Sequence, residues 1–217
     1  MVQIIPAILA TTAEDYKQKL EKIMACPELA EGWVQIDLMD NKFVQNKSIS
    51  PEVIAKYITK LKIEAQLMTQ YPENWIDELV KIKVNRIVFP IEDEEGIKER
   101  IKHIKNHGIE VGLSVNPQSS VGKVEPFVAT IDLVLIMSVN PGFGGQQFIM
   151  QTIDKVKEAA QLRSRNENLV IEVDGGINEQ VVKELVEAGV DNLVVGSSLL
   201  EGDIEENLQK FWGKLGE

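Results

Sequence analysis

Disulfide chemistry within this chain is excluded, because its 217 residues hold a single cysteine, Cys26. An unpaired thiol fits a reducing compartment. Basic charge is also short: 23 lysines and arginines face 34 aspartates and glutamates, for a net charge of −11. Such a surface repels nucleic acid and anionic membranes, so neither is expected as a partner. A small anionic ligand would need a local electropositive pocket against that field. The N-terminal residues have no basic region, and their apolar run gives way to Glu14 and Asp15, so no signal or transit peptide is expected. No run approaches the roughly 18 apolar residues of a membrane helix. A cytoplasmic location is therefore expected. Low-complexity tracts and Pro/Gly/Ser linkers are absent. The length suits one core, so residues 1–217 are expected to form a single domain.

What is present is an alternation of short apolar runs and longer amphipathic ones. Strands are expected at Gln3–Leu9, Trp33–Met39, Ile63–Met68, Arg86–Phe89, Ile109–Val115, Leu133–Met137, Leu169–Val173 and Asn192–Val195. Helical patterns include Ala13–Met24, Pro51–Leu61, Asn74–Lys83, Glu94–Asn106, Met150–Arg165 and Glu179–Ala188. Continuous apolar runs such as Leu133-Val134-Leu135-Ile136 mark parallel strands buried on both faces. Eight βα units in 217 residues predict a (β/α)8 TIM barrel. The rival, an open doubly wound sheet, normally has a glycine-rich turn after its first strand. Here that strand runs into Pro6-Ala7-Ile8-Leu9-Ala10. Two long segments, Asn41–Ser50 and Ser138–Phe148, follow the second and sixth strands, at the end of a barrel where catalytic loops lie.

Three groups of residues carry candidate chemistry. Glycines follow the last three strands: Gly142, Gly144 and Gly145 around Phe143, then Gly175 and Gly176, then Gly196 with Ser197. Glycine lets backbone approach a ligand, and clustered N–H groups bind anions, so these segments predict a phosphate cradle rather than mere tight turns. Asp37 and Asp174 end the second and seventh strands, and strand alternation puts each on one face with Gln35 and Glu172 respectively. Two carboxylates flanking one carbon suit a two-base proton transfer; the bland alternative is that each holds a loop or caps a helix. Met39, Met68 and Met137 end the second, third and sixth strands. They read as core packing, or as a water-poor floor beneath a reactive carbon. His103 and His107 share a helix face, but no third ligand accompanies them, and they read as solvated surface residues. No lysine at a strand end suggests a Schiff base.

These residues resemble the ribulose-phosphate 3-epimerase family over nearly the whole chain. The resemblance rests on Asp37-Leu38-Met39-Asp40, on Met137-Ser138-Val139-Asn140-Pro141-Gly142-Phe143-Gly144-Gly145-Gln146-Gln147-Phe148 and on Glu172-Val173-Asp174-Gly175-Gly176-Ile177-Asn178. It implies a phosphate-binding barrel that interconverts ribulose 5-phosphate and xylulose 5-phosphate. Asp37 and Asp174 would be acid and base at C3, and the glycine segments would hold the phosphate. It also implies the family's divalent metal, held by the two aspartates and two histidines, and a homo-oligomer of two or more copies. The chain departs from the pattern where those histidines belong: Gln35 and Gln66 stand there, Ala7 replaces a serine, and Pro90 replaces a further histidine. The imidazoles that favour zinc are thus missing. Three readings stay open. The glutamine carbonyls and carboxylates would hold Mg²⁺ or Mn²⁺ as an oxygen-rich site. The Gln35 and Gln66 amides would instead donate to a developing oxyanion, with no metal. Or catalysis is lost and a phosphosugar-binding or regulatory barrel remains.

Overall fold

The computed structural model describes residues 2–57 and 59–216. Its strands are β1 (Gln3–Ile8), β2 (Trp33–Met39), β3 (Lys62–Met68), β4 (Arg86–Pro90), β5 (Glu110–Val115), β6 (Leu133–Met137), β7 (Val170–Asp174) and β8 (Asn192–Val195). They pair in chain order, all parallel, and β8 closes on β1 with Gln3 opposite Asn192, so the sheet is a closed eight-stranded barrel. This is the expected TIM barrel. The helices are α1 (Ala13–Ala25), α2 (Pro51–Ile54), α3 (Glu73–Lys81), α4 (Ile97–Lys105), α5 (Thr152–Gln161), α6 (Val182–Ala188), α7 (Ser197–Leu200) and α8 (Ile204–Leu215).

Several helices are shorter than expected, Glu179–Ala188 starting at Val182 and Met150–Arg165 running from Thr152 to Gln161. The expected Pro51–Leu61 helix is the single turn α2; it includes Ile58, which lies outside the described residues, as Met1 and Glu217 of the expected domain also do. Val53, Ile54 and Thr59 are β-branched and weaken helical propagation there. The expected Glu94–Asn106 helix starts at Ile97, because Gly96 adopts a left-handed φ of 68° before it. Between β5 and β6 a 3-10 turn, Val121–Phe127, with Pro126 inside it, takes the place of an α-helix.

Strand alternation divides the core into two chemistries. On β2, Val34, Ile36 and Leu38 point outward into the aliphatic layer beneath the helices. Gln35, Asp37 and Met39 occupy the opposite face, inside the barrel. That interior is unusually polar: Gln35, Glu64, Gln66, Arg86, Glu172 and Asn192 are all buried. Its lower layer is an ionic network. Arg86 bonds Glu64 at 2.7 Å and Glu110 at 2.6 Å, and Asn192 bonds Glu172 at 2.8 Å. Above it sit the two aspartates.

Candidate active site

The C-terminal mouth of the barrel opens into a cavity of about 770 Å³. Asp37 and Asp174 both line it, together with Ala7, Met68 and Met137. So do Gly142, Phe143, Gly144 and Gly145 after β6, Gly175 and Gly176 after β7, and Gly196 and Ser197 after β8. The topology explains the convergence: β2 and β7 lie on either side of the β8–β1 seam.

The aspartates meet through amides. Gln35 Nε2 lies 2.9 Å from Asp37 Oδ1, 3.1 Å from Asp174 Oδ2 and 2.8 Å from the Gln66 side-chain oxygen. An amide nitrogen carries two hydrogens, so it cannot donate to all three at once. The Gln66 terminal atom that faces this group is itself 3.2 Å from Asp37 and 3.0 Å from Asp174. With Gln66 oxygen in that place, acceptor faces acceptor, and a carboxyl proton on one aspartate relieves the contact. With the Gln66 amide turned, its N–H groups donate to both aspartates. Burial drives the Asp37 carboxyl up to about 7, against the pull of Gln35 and Lys19 towards the charged form. Burial and then the charge of Asp37 raise Asp174 well above the ordinary carboxylate range. The two carboxyls influence each other, and both are shifted towards the protonated form.

Three expected site residues do not reach the cavity wall. Gln35, Gln66 and Met39 are essentially inaccessible, at 0%, 1% and 0%. The glutamines were expected to touch substrate or an oxyanion, but they lie behind the carboxylates and turn their polar ends on them. Met39 packs against Val44 and Met68. Met68 and Met137 do line the cavity, and the Met137 sulfur receives Gln66 Nε2 at 3.0 Å.

The loops are braced from below. Ser138 Oγ lies 2.9 and 2.5 Å from the carbonyls of Asp174 and Gly175, within reach of its single O–H, across β6 and β7. Asn46 Nδ2 reaches the Gly142 carbonyl at 2.7 Å, tying the β2 loop to the β6 loop. Gly176 has φ 62°, and a Cβ there would sit 2.6 Å from the Phe148 backbone nitrogen, so the β6 loop closes on it only because it is glycine. Ser197 and Ser198 open α7 towards the cavity, where the first N–H groups of a helix lack internal acceptors and favour an anion. Asp40 is a loop brace: burial alone would raise its carboxyl, yet the N–H groups of Gln70, Phe43 and Lys42 hold it below its ordinary value. His103 and His107 stack edge to face at 5.1 Å on the surface, and His103 pairs with Asp77 at 2.8 Å.

Sequence reading passed over Lys19, which also lines the cavity. The signal was available: Lys19 falls at helical spacing within the buried stripe Tyr16, Leu20 and Ile23 of α1.

The donor set does not fit zinc. Among the described residues no group of three or more His, Cys, Asp or Glu side chains is placed to hold a metal ion. The Gln35 atom facing both aspartates is its nitrogen, which is not a metal ligand.

Residues 3–200 match the model of the Ribulose-phosphate 3 epimerase family. A ribulose-phosphate 3-epimerase of Aquifex aeolicus is 36% identical, covering 97% of this chain and 96% of that one. Those of Bacillus subtilis and Chlamydia trachomatis are 32% and 38% identical, covering 92% and 78% of this chain and 92% and 75% of theirs. Among solved structures, a 3-keto-L-gulonate-6-phosphate decarboxylase from Vibrio cholerae superposes with a TM-score of 0.74 at 9% identity, covering 99% of this chain and 97% of that one. A 3-hexulose-6-phosphate synthase gives 0.72 at 15% identity, covering 98% and 99%. At those identities the likeness is one of fold. Among the described residues, no helix is long and apolar enough to cross a membrane.

Proposed function

The chain belongs to the ribulose-phosphate 3-epimerase family, a family of isomerases, and from that premise we propose that it epimerises a phosphorylated ketose at C3 through an ene-diolate. The substrate class is D-ribulose 5-phosphate and D-xylulose 5-phosphate or a close relative. The observation that carries this reading is the aspartate pair at the cavity floor, joined through one amide nitrogen at 2.9 and 3.1 Å.

A two-base epimerisation needs one carboxylate and one carboxylic acid on opposite faces of the carbon. The ionised member takes the C3 proton, and the electron pair moves into the C2 carbonyl to form the ene-diolate. The protonated member then returns its proton to the other face, and the two exchange roles. Raising both carboxyls towards the protonated form is what lets one of the two serve as the acid this cycle requires. Gln35 and Gln66 hold the carboxyl groups in register from behind, and the buried methionines exclude water. The glycine segments after β6, β7 and β8 take the phosphate, anchoring the sugar so that C3 lies between the acids. Ala7, on the cavity wall, leaves the sugar end less hydrogen-bonded than a serine would.

A second reading is a weakly held Mg²⁺ or Mn²⁺. It is favoured by the mutual spacing of the four polar ends, 2.8 to 3.2 Å. Adjacent ligands of an ion with bonds near 2.1 Å stand about 3 Å apart. Asp37 and Asp174 would hold it, with the Gln35 and Gln66 carbonyls once both amides turned. When bound, such an ion would steady the charge of the ene-diolate.

Proton NMR of ribulose 5-phosphate in D2O tests both. Deuterium entering C3 as xylulose 5-phosphate forms, undiminished by chelator, supports the two-base reading without metal. Exchange that appears only with added Mg²⁺ or Mn²⁺ selects the second reading. No exchange in any condition overturns the pentulose-phosphate assignment and leaves a binding-only barrel or another phosphosugar.

A further inference from the structure

Removing a proton from C3 sends negative charge onto the C2 oxygen, and that charge needs a donor on the cavity wall. The amides behind the aspartates are not available for it: Gln35 Nε2 is engaged by Asp37, Gln66 and Asp174. Among the described residues that line the cavity, one lysine or arginine is present, Lys19; the other charged groups there are Asp37, Asp174 and Glu201.

Lys19 reaches this position from α1. Its ammonium donates to the Leu9 carbonyl at 2.7 Å and to Asp15 Oδ2 at 2.8 Å, just beyond the end of β1. An ammonium has three N–H groups, and these contacts use two. The side chain is one-third exposed and lines the cavity, so the third N–H is left for a ligand there. β1 pairs with β2, Ala7 opposite Gln35, so the ammonium stands on the Asp37 side of the mouth. Its charge acts on Asp37, favouring the ionised form there. The glycine segments that would take the phosphate follow β6, β7 and β8, on the Asp174 side.

We propose that Lys19 is the oxyanion-binding residue of this site: its third N–H donates to the C2 oxygen of the phosphorylated ketose as the ene-diolate forms. It supplies a fixed positive charge where the remaining donors are neutral. Only the C3 proton moves, to and from the aspartates. The inference deepens the epimerase reading and rests on it.

The test compares native protein with Lys19→Met and Lys19→Arg, after matching their melting curves. Calorimetry measures binding of a phosphorylated hydroxamate, planar and anionic like an ene-diolate, and separately of inorganic phosphate. Isotope exchange at C3 gives kcat and KM. Lys19→Met should weaken hydroxamate binding and lower kcat by about 100-fold each, while phosphate affinity and KM stay near native. Lys19→Arg should recover part of both. Equal loss of hydroxamate and phosphate binding would overturn the proposal and make Lys19 a phosphate contact. So would no loss of either, or no hydroxamate binding by the native protein. If the native protein binds hydroxamate in a Lys19-dependent way yet exchanges no C3 proton, the epimerase reading fails and the Lys19 contact stands.

Discussion

Two polar layers lie one above the other inside this barrel, and they treat charge differently. In the lower layer Arg86 stands among Glu64, Glu110 and Glu172, at 2.7, 2.6 and 3.8 Å, and its guanidinium also covers the Trp33 ring at 4.2 Å. A buried cation there compensates buried carboxylates. Glu172 is nevertheless raised well above its ordinary value, by burial first and by Glu64 second, against the pull of Arg86. In the upper layer Asp37 and Asp174 have amides for neighbours and no guanidinium. The lower arrangement suits holding a structure. The upper one raises both carboxyls, which is what the proposed proton transfer would use. An unpaired pair of acids in a cavity also costs stability, as functional groups often do.

That contrast can be broken in order of expected effect. Asp174→Asn removes one proton carrier, and C3 exchange should fall by about a thousandfold. A measured loss below tenfold would mean the pair is not the catalytic one. Arg86→Met should leave exchange chemistry intact in the folded fraction but cost roughly 3 kcal/mol or more in urea unfolding, because it strands Glu64 and Glu172 without their cation. Stability unchanged in that variant would show the lower layer to be no ionic support.

Two smaller effects sharpen the same comparison through pH. The folded Asp37 carboxyl lies near 7 and the unfolded one near its ordinary value, so the folded state binds more protons between them. Its contribution is fully present below the unfolded value and is lost as pH rises through 7. Asp37→Asn removes that loss. The variant should gain stability over native, on the order of 1–2 kcal/mol at pH 8 and less at pH 5, by thermal melts. Gln35→Leu removes N–H groups that favour the charged aspartates. The acid-side inflection of the exchange rate should therefore move to higher pH, and an unmoved inflection would deny Gln35 its role behind the pair.

The barrel was legible because its signals are local. Apolar runs such as Leu133–Met137 and the phosphate-type glycine segments report backbone needs that neighbouring residues alone express. Asp37 and Asp174 were legible as strand-end acids for the same reason. The role of the glutamines was not. Gln35 and Gln66 read as metal-binding carbonyls or as donors to substrate or an oxyanion, since sequence shows an amide near an acid but not which of the two faces the cavity. Arg86 and Lys19 were missed because a charge in an apolar stripe looks like an exception until its partners are known.

The sequence by itself determined the eight-strand alternation, the family motifs and the absence of imidazoles at Gln35 and Gln66. Only the tertiary structure decided that β2, β3 and β7 bring two acids and two amides to within 3.2 Å of shared atoms. It alone placed a helix lysine at the cavity mouth and an arginine beneath the acids. The physical reason is range. Secondary structure follows from periodicities of a few residues, whereas a carboxyl's proton affinity depends on burial and on charges brought close by barrel closure.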